Sequence, residues 1–296
     1  PPYFGLLDYG TAWQIGLEKS PAEYVNQIVE VFREARRVLR DDGTLWLNLG
    51  DSYARDAGKG QHKPGDSGKQ AAVYGRGGGR AAAEVLNLSA EGLKAKDLIG
   101  IPWRVALALQ ADGWWLRSDC IWAKPNPMPE SVIDRPTKSH EYVFLLSKSE
   151  SYWYDADAVA EVATRGAAGS RFDTGRTGAA NNSGRAQHGA RQSDDNTTRN
   201  LRTVWTIPTQ PSGLDHFAVM PEALVKRCLL ASCPVGGTVL DTFGGAGTVG
   251  LVADKMDRSA ILMEINPAYA RIAEQRIRGD NPLFADTRLS ALRGEP

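Results

Sequence analysis

The sequence predicts an α/β fold built on a mostly parallel, twisted sheet that is interrupted by an irregular insertion. Short apolar runs of strand length alternate with segments of helical periodicity along most of the chain. The last third reads as strand, glycine turn, helix, strand and helix, a series that is typical of a parallel sheet with helices on its faces. Two polar tracts between these elements lack the large apolar residues that a core requires.

The first half of the chain is predicted to contain two helices and three strands. Ser20-Pro21-Ala22-Glu23 is a capping box with proline at the first helical position, and the helix that it opens ends at Asp41-Asp42-Gly43. The other predicted elements are a strand from Thr44 to Leu49, a helix from Asp97 to Asp112, and strands from Trp114 to Lys124 and from His140 to Lys148. Asn48 and Asp51 lie where the first strand ends, so each has either a ligand-binding or a turn-capping role.

The second half is predicted to alternate helix and strand. Its elements are a helix from Pro221 to Ala231, a strand from Thr238 to Thr242, a helix from Thr248 to Lys255, a strand from Ser259 to Glu264 and a helix from Pro267 to Arg278.

The two polar tracts are predicted to be irregular. We expect Gly58 to Arg80 to form a mobile loop, and Arg165 to Arg202 carries seven arginines against three acids. Each tract is either a spacer or a loop that orders on the phosphates of a nucleic acid. Nucleic-acid binding is favoured for the second tract, whose candidate contacts are Arg165, Arg171, Arg176, Arg185, Arg191 and Arg199.

Composition excludes several classes of protein. The 296 residues are 42% hydrophobic and 24% charged with a formal net charge of zero, which argues against a protein that coats nucleic acid by bulk charge. No apolar run has the length of a membrane span, and nothing at the abrupt start of the chain reads as a signal peptide. Three scattered cysteines provide neither a disulfide framework nor a metal site, so we expect a reducing, cytoplasmic setting.

A glycine-rich turn after the strand at Asp241 predicts a nucleoside site. The run from Val239 to Thr248 leads from a strand through Phe243-Gly244-Gly245-Ala246-Gly247 into a helix, and glycines there allow close approach of a ligand. Glu264 ends the next strand 23 residues after Asp241, where an acid accepts hydrogen bonds from a ribose diol. A full GxGxxG is absent, which disfavours NAD, and the lack of GK[ST] rules out a P-loop. The alternative is that the glycines only make a tight turn and that Glu264 is a solvated acid.

Several segments resemble the motifs of DNA amino-methyltransferases. Pro1-Pro2-Tyr3-Phe4 resembles the family's catalytic loop, written Ser/Asp/Asn-Pro-Pro-Tyr/Phe. The turn from Asp241 to Gly247 resembles its cofactor motif, and Ile261 to Pro267 its ribose-binding motif. His216 to Pro221 is similar to the segment that closes over the methionine part of the cofactor. The order, with the catalytic loop first, is similar to the permuted β-type class.

The resemblance implies a Rossmann-like S-adenosylmethionine-dependent methyltransferase fold with a recognition insertion. It divides the chain into a catalytic half at 1–150, a target-recognition insertion at 151–213 and a cofactor-binding half at 214–296. S-adenosylmethionine is the implied cofactor and double-stranded DNA the implied partner, with no metal. The implied catalytic residues are Pro1, Pro2 and Tyr3, and the implied cofactor contacts are Asp241, Phe243, Gly244, Gly245, Gly247, Glu264, Ile265, His216 and Phe217.

The chemistry of an exocyclic amine explains these residue types. Its lone pair is delocalised into the base, so acceptors that bind the amino group position it and stabilise the developing positive charge. The family residue before Pro1, Ser in cytosine N4 enzymes and Asp or Asn in adenine N6 enzymes, is not in this sequence, and without it the chain could be impaired. The string from Pro1 to Gly10 is similar to members with Ser, so we expect cytosine N4 methylation, with adenine N6 as the alternative.

Two further classes stay open on the sequence alone. RNA and protein methyltransferases use similar Pro-Pro-Tyr loops, although the arginine-rich insertion favours DNA. A DNA-binding relic without activity is the non-enzymatic alternative, and it would bind no cofactor. A homodimer and a cognate restriction endonuclease are partners that the sequence neither requires nor excludes.

Overall fold

Helices and strands alternate along the chain in a computed structural model that describes residues 1–5, 11, 13–54, 92–163, 198–210, 220–282 and 285–290. The helices are α1 (Pro21–Val38), α2 (Ile101–Ala111), α3 (Glu222–Ser232), α4 (Thr248–Asp254) and α5 (Pro267–Asp280). The strands are β1 (Thr44–Leu49), β2 (Trp115–Ala123), β3 (His140–Ser147), β4 (Glu161–Val162), β5 (Thr198–Arg199), β6 (Val204–Thr206), β7 (Thr238–Asp241) and β8 (Ser259–Leu262). Among the described residues, no helix has the length and apolar character needed to cross a membrane.

The larger sheet has the strand order β1-β3-β2-β6, in which β3 alone is reversed. It pairs antiparallel with β1 and with β2, while β2 and β6 pair in parallel. Because α2 supplies the crossover from β1 to β2, these two strands share a direction. The loop from β2 to β3 contains no helix, so β3 returns between them. The carboxyl ends of β1 and β2 and the start of β3 therefore lie at one edge of the sheet.

Helices cover both faces of this sheet. The side chains of Leu47, Leu49, Phe144 and Leu146 pack with apolar residues of α1 and α2 on one face. On the other face, Trp122, Val143 and Trp205 pack with Leu224 of α3. The second sheet pairs β7 with β8 in parallel, and α3 and α4 share a core with it. The layered α/β fold predicted from the sequence is therefore present.

The two helix starts show where local prediction works and where it does not. At α1 the Oγ of Ser20 accepts from the amide of Glu23 at 3.2 Å, as the capping box predicts. The Glu23 carboxylate, however, accepts from the amide of Lys19 at 3.1 Å instead of from Ser20. α2 begins at Ile101, four residues after the predicted start at Asp97. The amides of Gly100 and Ile101, at the start of this helix, donate to the carboxylate of Asp51. Because Asp51 is distant in sequence, a search for capping residues next to the helix could not find it.

The strand β6 belongs to the larger sheet, although the sequence predicted an irregular insertion there. It lies within 151–213, yet it pairs with β2, and its Trp205 is buried in the core on one face of that sheet. Three residues are too few for a periodicity signal, which is why the sequence placed them in the insertion. The strands β4 and β5, also missed, form a separate two-stranded ladder. Residues 198–207 therefore connect the insertion to the main sheet.

Contacts between aromatic and apolar side chains join the two predicted halves. The ring centroid of Phe243, in the glycine turn after β7, lies 6.2 Å from that of Phe32 in α1. Phe243 packs against the core that contains α1, α2 and β1. Met220 packs against both remaining cores, one under the larger sheet and one under β7.

We predict that alanine at Gly247 destabilises the protein more than alanine at Gly236. Both glycines have a left-handed backbone conformation, with φ of 76° at Gly247 and 75° at Gly236. A Cβ on Gly247 would lie 2.6 Å from the Cβ of Ala273 in α5, whereas a Cβ on Gly236 would meet nothing within 4 Å. Each substitution is expected to cost about 1 kcal/mol of unfolding free energy for backbone strain. Gly247→Ala should cost a further ~1–3 kcal/mol for overpacking.

Urea denaturation of the two variants measures this difference, and Gly236→Ala is the control for the shared strain. Equal losses of unfolding free energy would show that α4 and α5 do not depend on the close approach at Gly247.

Candidate functional site

The opening segment of the chain is fixed against the start of α1. The buried ring of Phe4 lies 5.5 Å from the ring of Tyr24, centroid to centroid. The amide of Gly5 donates to the carbonyl of Gly16 at 2.8 Å. The hydroxyl of Tyr24 donates to the carbonyl of Pro2 at 2.7 Å. The two prolines are therefore held by a side-chain hydrogen bond from one side and by the buried Phe4 from the other.

Tyr3 has a fixed orientation at the edge of the larger sheet. Its hydroxyl donates to Oε2 of Glu141 at 2.7 Å. Its ring lies so close to Gly50, just after β1, that a Cβ there would be 2.5 Å from the ring. The absence of a side chain at Gly50 thus leaves room for the edge of the tyrosine ring formed by Cδ2, Cε2 and Cζ.

Glu141, which the sequence analysis did not identify, is the carboxylate at the centre of this site. It is 8% exposed, and besides Tyr3 it accepts from Nδ2 of Asn48 at 3.1 Å. Lys124 forms an ion pair with its Oε1. Three donors from separate segments satisfy a carboxylate that would otherwise be costly to bury.

The sheet register explains why these residues meet. Asn48 and Glu141 belong to β1 and the start of β3, and Lys124 follows β2, so all three lie at the edge where β1 and β2 end. A charged residue at a buried position in an otherwise apolar strand was the only available signal for Glu141. Of the two roles left open for Asp51, the structure shows capping: its carboxylate accepts from the amides of Gly100 and Ile101.

The glycine turn after β7 has the geometry of a tight, amide-lined loop. Oδ1 of Asp241 accepts from the amide of Phe243 at 3.0 Å. The amide of Gly244 donates to the carbonyl of Met263 at 2.7 Å, which ties the turn to the end of β8. Gly245 and Gly247 have φ of 50° and 76°, a region that residues with a Cβ rarely occupy.

Glu264 braces this turn from the neighbouring strand. Its Oε2 accepts from the amide of Gly245 and its Oε1 from the amide of Asn266, both at 2.8 Å. A carboxylate offers about four lone-pair positions, so these two bonds leave acceptor capacity for a further ligand. Glu264 is therefore part of the loop and not simply a solvated strand-end acid. Ile265, beside it, is 55% exposed.

The opening segment lies close to the glycine turn. Tyr3 and Phe243, the aromatic residue of the turn, pack against the same core, which contains Phe4. Because the hydroxyl of Tyr3 is also bound to Glu141, the opening segment contacts both this shared core and the Glu141 network. Burial raises the pKa of Asp241, which the charge of Glu264 raises further. The two predicted motifs at opposite ends of the sequence are thus brought together.

The remaining predicted contacts have different outcomes. Arg199 lies in β5 and pairs with Glu161 of β4 at 3.2 Å. The predicted mobile loop at 58–80 lies outside the described residues. So do the following predicted cofactor and DNA contacts: His216, Phe217, Arg165, Arg171, Arg176, Arg185 and Arg191.

Comparison with known proteins gives consistent matches over most of the chain. A family model described as DNA methylase matches residues 1–275. The type II methyltransferase M.Cfr9I of Citrobacter freundii is 46% identical over 281 residues, which are 95% of this chain and 80% of that protein. M.SmaI of Serratia marcescens, also a type II methyltransferase, is 44% identical over 277 residues, covering 94% and 82%.

Solved structures share the fold at low sequence identity. The PvuII DNA methyltransferase, described as cytosine-N4-specific, has a TM-score of 0.58 at 17% identity and covers 98% of this chain and 79% of its own. A Thermus thermophilus protein, described as a possible DNA modification methylase and solved with S-adenosyl-L-methionine, has a TM-score of 0.52 at 19% identity, covering 89% and 80%. These matches confirm the Rossmann-like methyltransferase fold.

We predict that Asp241→Asn raises the free energy of unfolding at neutral pH. Burial raises the pKa of Asp241 in the folded protein, so the folded state retains this proton to a higher pH than the unfolded state. The wild type therefore loses stability as the pH rises from about 4, the unfolded value, through the folded value. Asparagine keeps the acceptor for the amide of Phe243 but has no proton to lose.

Urea unfolding of both proteins between pH 4 and 8 measures the effect, and the gap between them should close at acid pH. Asp286→Asn, at an exposed carboxylate, controls for the removal of one charge. Parallel stability curves for the wild type and Asp241→Asn would contradict the prediction.

Proposed function

The chain belongs to the DNA methylase family, and we propose that it transfers the methyl group of S-adenosylmethionine to the exocyclic N4 of cytosine in double-stranded DNA. Membership fixes the coarser activity, which is S-adenosylmethionine-dependent methylation of an amino group in DNA. The choice of cytosine, and the residues that carry the reaction, are our proposal.

The observation that carries the proposal is the packing of Tyr3 and Phe243 against one core. It brings the Pro-Pro-Tyr segment next to the glycine turn, although more than two hundred residues separate them in sequence. Methyl transfer requires donor and acceptor within a few ångströms, so this proximity is the first condition that the site has to meet.

Pro1 is the proline whose carbonyl we assign to the target amine. The hydrogen bonds of the described residues leave that carbonyl open, whereas the carbonyl of Pro2 already accepts from Tyr24. The ring of Pro2 restricts the backbone before it and so fixes the direction of the Pro1 carbonyl. An acceptor in a fixed place binds the amino group and stabilises the positive charge that develops on it.

Tyr3 is the residue that we assign to stacking on the flipped-out base. Gly50 leaves room for one edge of its ring, and the hydroxyl donates to Glu141. Asn48 and Lys124 hold Glu141 in turn, so the ring does not have to be ordered when a base arrives. A base that is extruded from the duplex can therefore stack on an aromatic ring that is already in place.

The residues of the glycine turn fit the proposed cofactor contacts. Bound S-adenosylmethionine supplies an electrophilic methyl group on a sulfonium. The half-buried Asp241 carboxylate has no side-chain cation among the described residues and matches the ammonium of the methionine part. Glu264 has acceptor positions left for ribose hydroxyls, and Gly244, Gly245 and Gly247 keep Cβ atoms away from the ligand. Phe243 and the exposed Ile265 are assigned to the apolar contacts.

Cytosine is favoured over adenine by two observations. The string from Pro1 to Gly10 is similar to loops in which serine precedes the prolines. The PvuII enzyme, which shares the fold, is described as cytosine-N4-specific. Adenine N6 methylation is the alternative, and identification of the methylated nucleoside distinguishes the two.

The setting of the reaction follows from the relatives. Their names as type II methyltransferases belong to restriction and modification. We therefore assign target recognition to the part of the chain from 151 to about 197, with a cognate endonuclease as the corresponding partner. The same names favour DNA over RNA or protein as the substrate.

The expected product is N4-methyl-2′-deoxycytidine. DNA from cells that express the protein is digested to nucleosides and measured by mass spectrometry, with DNA from cells carrying an empty plasmid as the control. Detection of N6-methyl-2′-deoxyadenosine alone would overturn the assignment of the base but not the family. Long-read sequencing of the same DNA gives the recognition site.

We predict that Glu264→Gln weakens the binding of S-adenosylmethionine about tenfold or more. Glutamine loses the charge, and its amino group faces either the amide of Gly245 or that of Asn266. A hydrogen bond to a charged group contributes about 1.5–3 kcal/mol. Calorimetry with the cofactor measures the change. Glu274→Gln, which removes a carboxylate paired with Arg278 on α5, is the control, and equal affinities in the two variants would exclude Glu264 from the site.

A further inference from the structure

The loop from β2 to β3 carries exposed apolar side chains on a frame of prolines. Residues 124–139 contain four prolines, at positions 125, 127, 129 and 136. Ile133 is 100% exposed, and Met128 and Val132 are 58% and 41% exposed. A single exposed apolar residue is common on any surface, but Val132 and Ile133 are adjacent and together form a local apolar tip of the loop.

Contacts within the protein hold the loop in place. Its two ends are joined by the amide of Lys124, which donates to the carbonyl of Ser139 at 2.8 Å. The guanidinium of Arg135 lies 3.9 Å from the ring centroid of Tyr53, a contact expected to be favourable. Asp134, next to Ile133, pairs with Lys96 at 2.6 Å. The apolar tip is therefore presented by a braced loop.

The base of this loop is the catalytic edge of the sheet. Lys124, its first residue, pairs with Glu141, which in turn holds the hydroxyl of Tyr3. Lys138, near its end, donates to the carbonyl of Asp51 just after β1. A duplex that delivers a base to Tyr3 has to lie against this edge, and the tip of the loop projects from it.

We infer that Ile133, with Val132 beside it, enters the duplex next to the target base and occupies the space that the base leaves. Extrusion of a base costs a few kcal/mol of stacking and pairing, and apolar side chains inserted between base steps offset that cost. The inference rests on methylation of a base in duplex DNA, as proposed above, but not on whether the base is cytosine or adenine.

The alternative is that the apolar tip binds a second copy of the chain. Its position favours DNA, because the base of the loop is the edge that holds Tyr3. Charge adds little, since Lys124, Arg135 and Lys96 are each paired with an acid of the protein.

The test compares Ile133→Ala with Val235→Ala in the full chain. Val235 is 71% exposed and lies in the turn before β7, at the end of that strand opposite the glycine turn. The substrates are two duplex oligonucleotides that carry the recognition site found by sequencing. In one the target base is paired, and in the other it faces an abasic position, which removes most of the cost of extrusion.

For Ile133→Ala we expect kcat/KM to fall about tenfold on the paired duplex, from loss of apolar contact. On the duplex with the abasic position it should stay within about twofold of the wild type, and the affinity for S-adenosylmethionine should not change. Ile133→Leu should retain most of the activity on both, and Val235→Ala should match the wild type. With 2-aminopurine at the target position, the fluorescence gain on binding should be smaller for Ile133→Ala.

Three results would overturn the inference: no loss for Ile133→Ala, an equal loss on both duplexes, or a change of oligomeric state in place of a change in base extrusion. Failure of the proposed function is seen separately, because it would appear as a different product, or no product, from the wild-type protein.

Discussion

The candidate site depends on the contacts of one buried carboxylate, that of Glu141. It joins the opening segment to the sheet through Tyr3, and it joins β1 and the end of β2 through Asn48 and Lys124. A carboxylate that is 8% exposed is stable only while its donors stay in place, so loss of any one would leave a buried charge partly unpaired. The reversed strand β3 makes this possible, because its first residues lie where its neighbours end.

Local chemistry was enough to predict most helices and strands and the glycine turn. The cap at Ser20, the run from Thr44 to Leu49 and the turn after Asp241 carry their signals within a few residues. These three features are predicted correctly because each forms from neighbours in sequence. Motif and spacing also suggested Pro1 to Tyr3 and Glu264 as site residues, and their roles stay predictions.

The features that were missed all depend on residues far apart. Glu141 gains its role from Tyr3, 138 positions away, and the start of α2 is set by Asp51, about fifty positions upstream. β6 is a strand only because β2 offers an edge to its three residues, and Trp205 then has a core to enter. No window of sequence contains both partners of such contacts, so periodicity and motifs cannot report them.

The glycine turn shows that a structural and a ligand-binding interpretation need not compete. Gly247 is required by the packing of Ala273, which by itself would explain a glycine there. Gly245 contributes in a different way, because its amide donates to Glu264 and so holds that carboxylate beside the turn. Partial burial raises the pKa of Asp241, so its ionised form costs stability, and a fold with no ligand to bind would gain by replacing it. An acid between a braced turn and the Pro-Pro-Tyr segment is therefore better explained by binding than by folding.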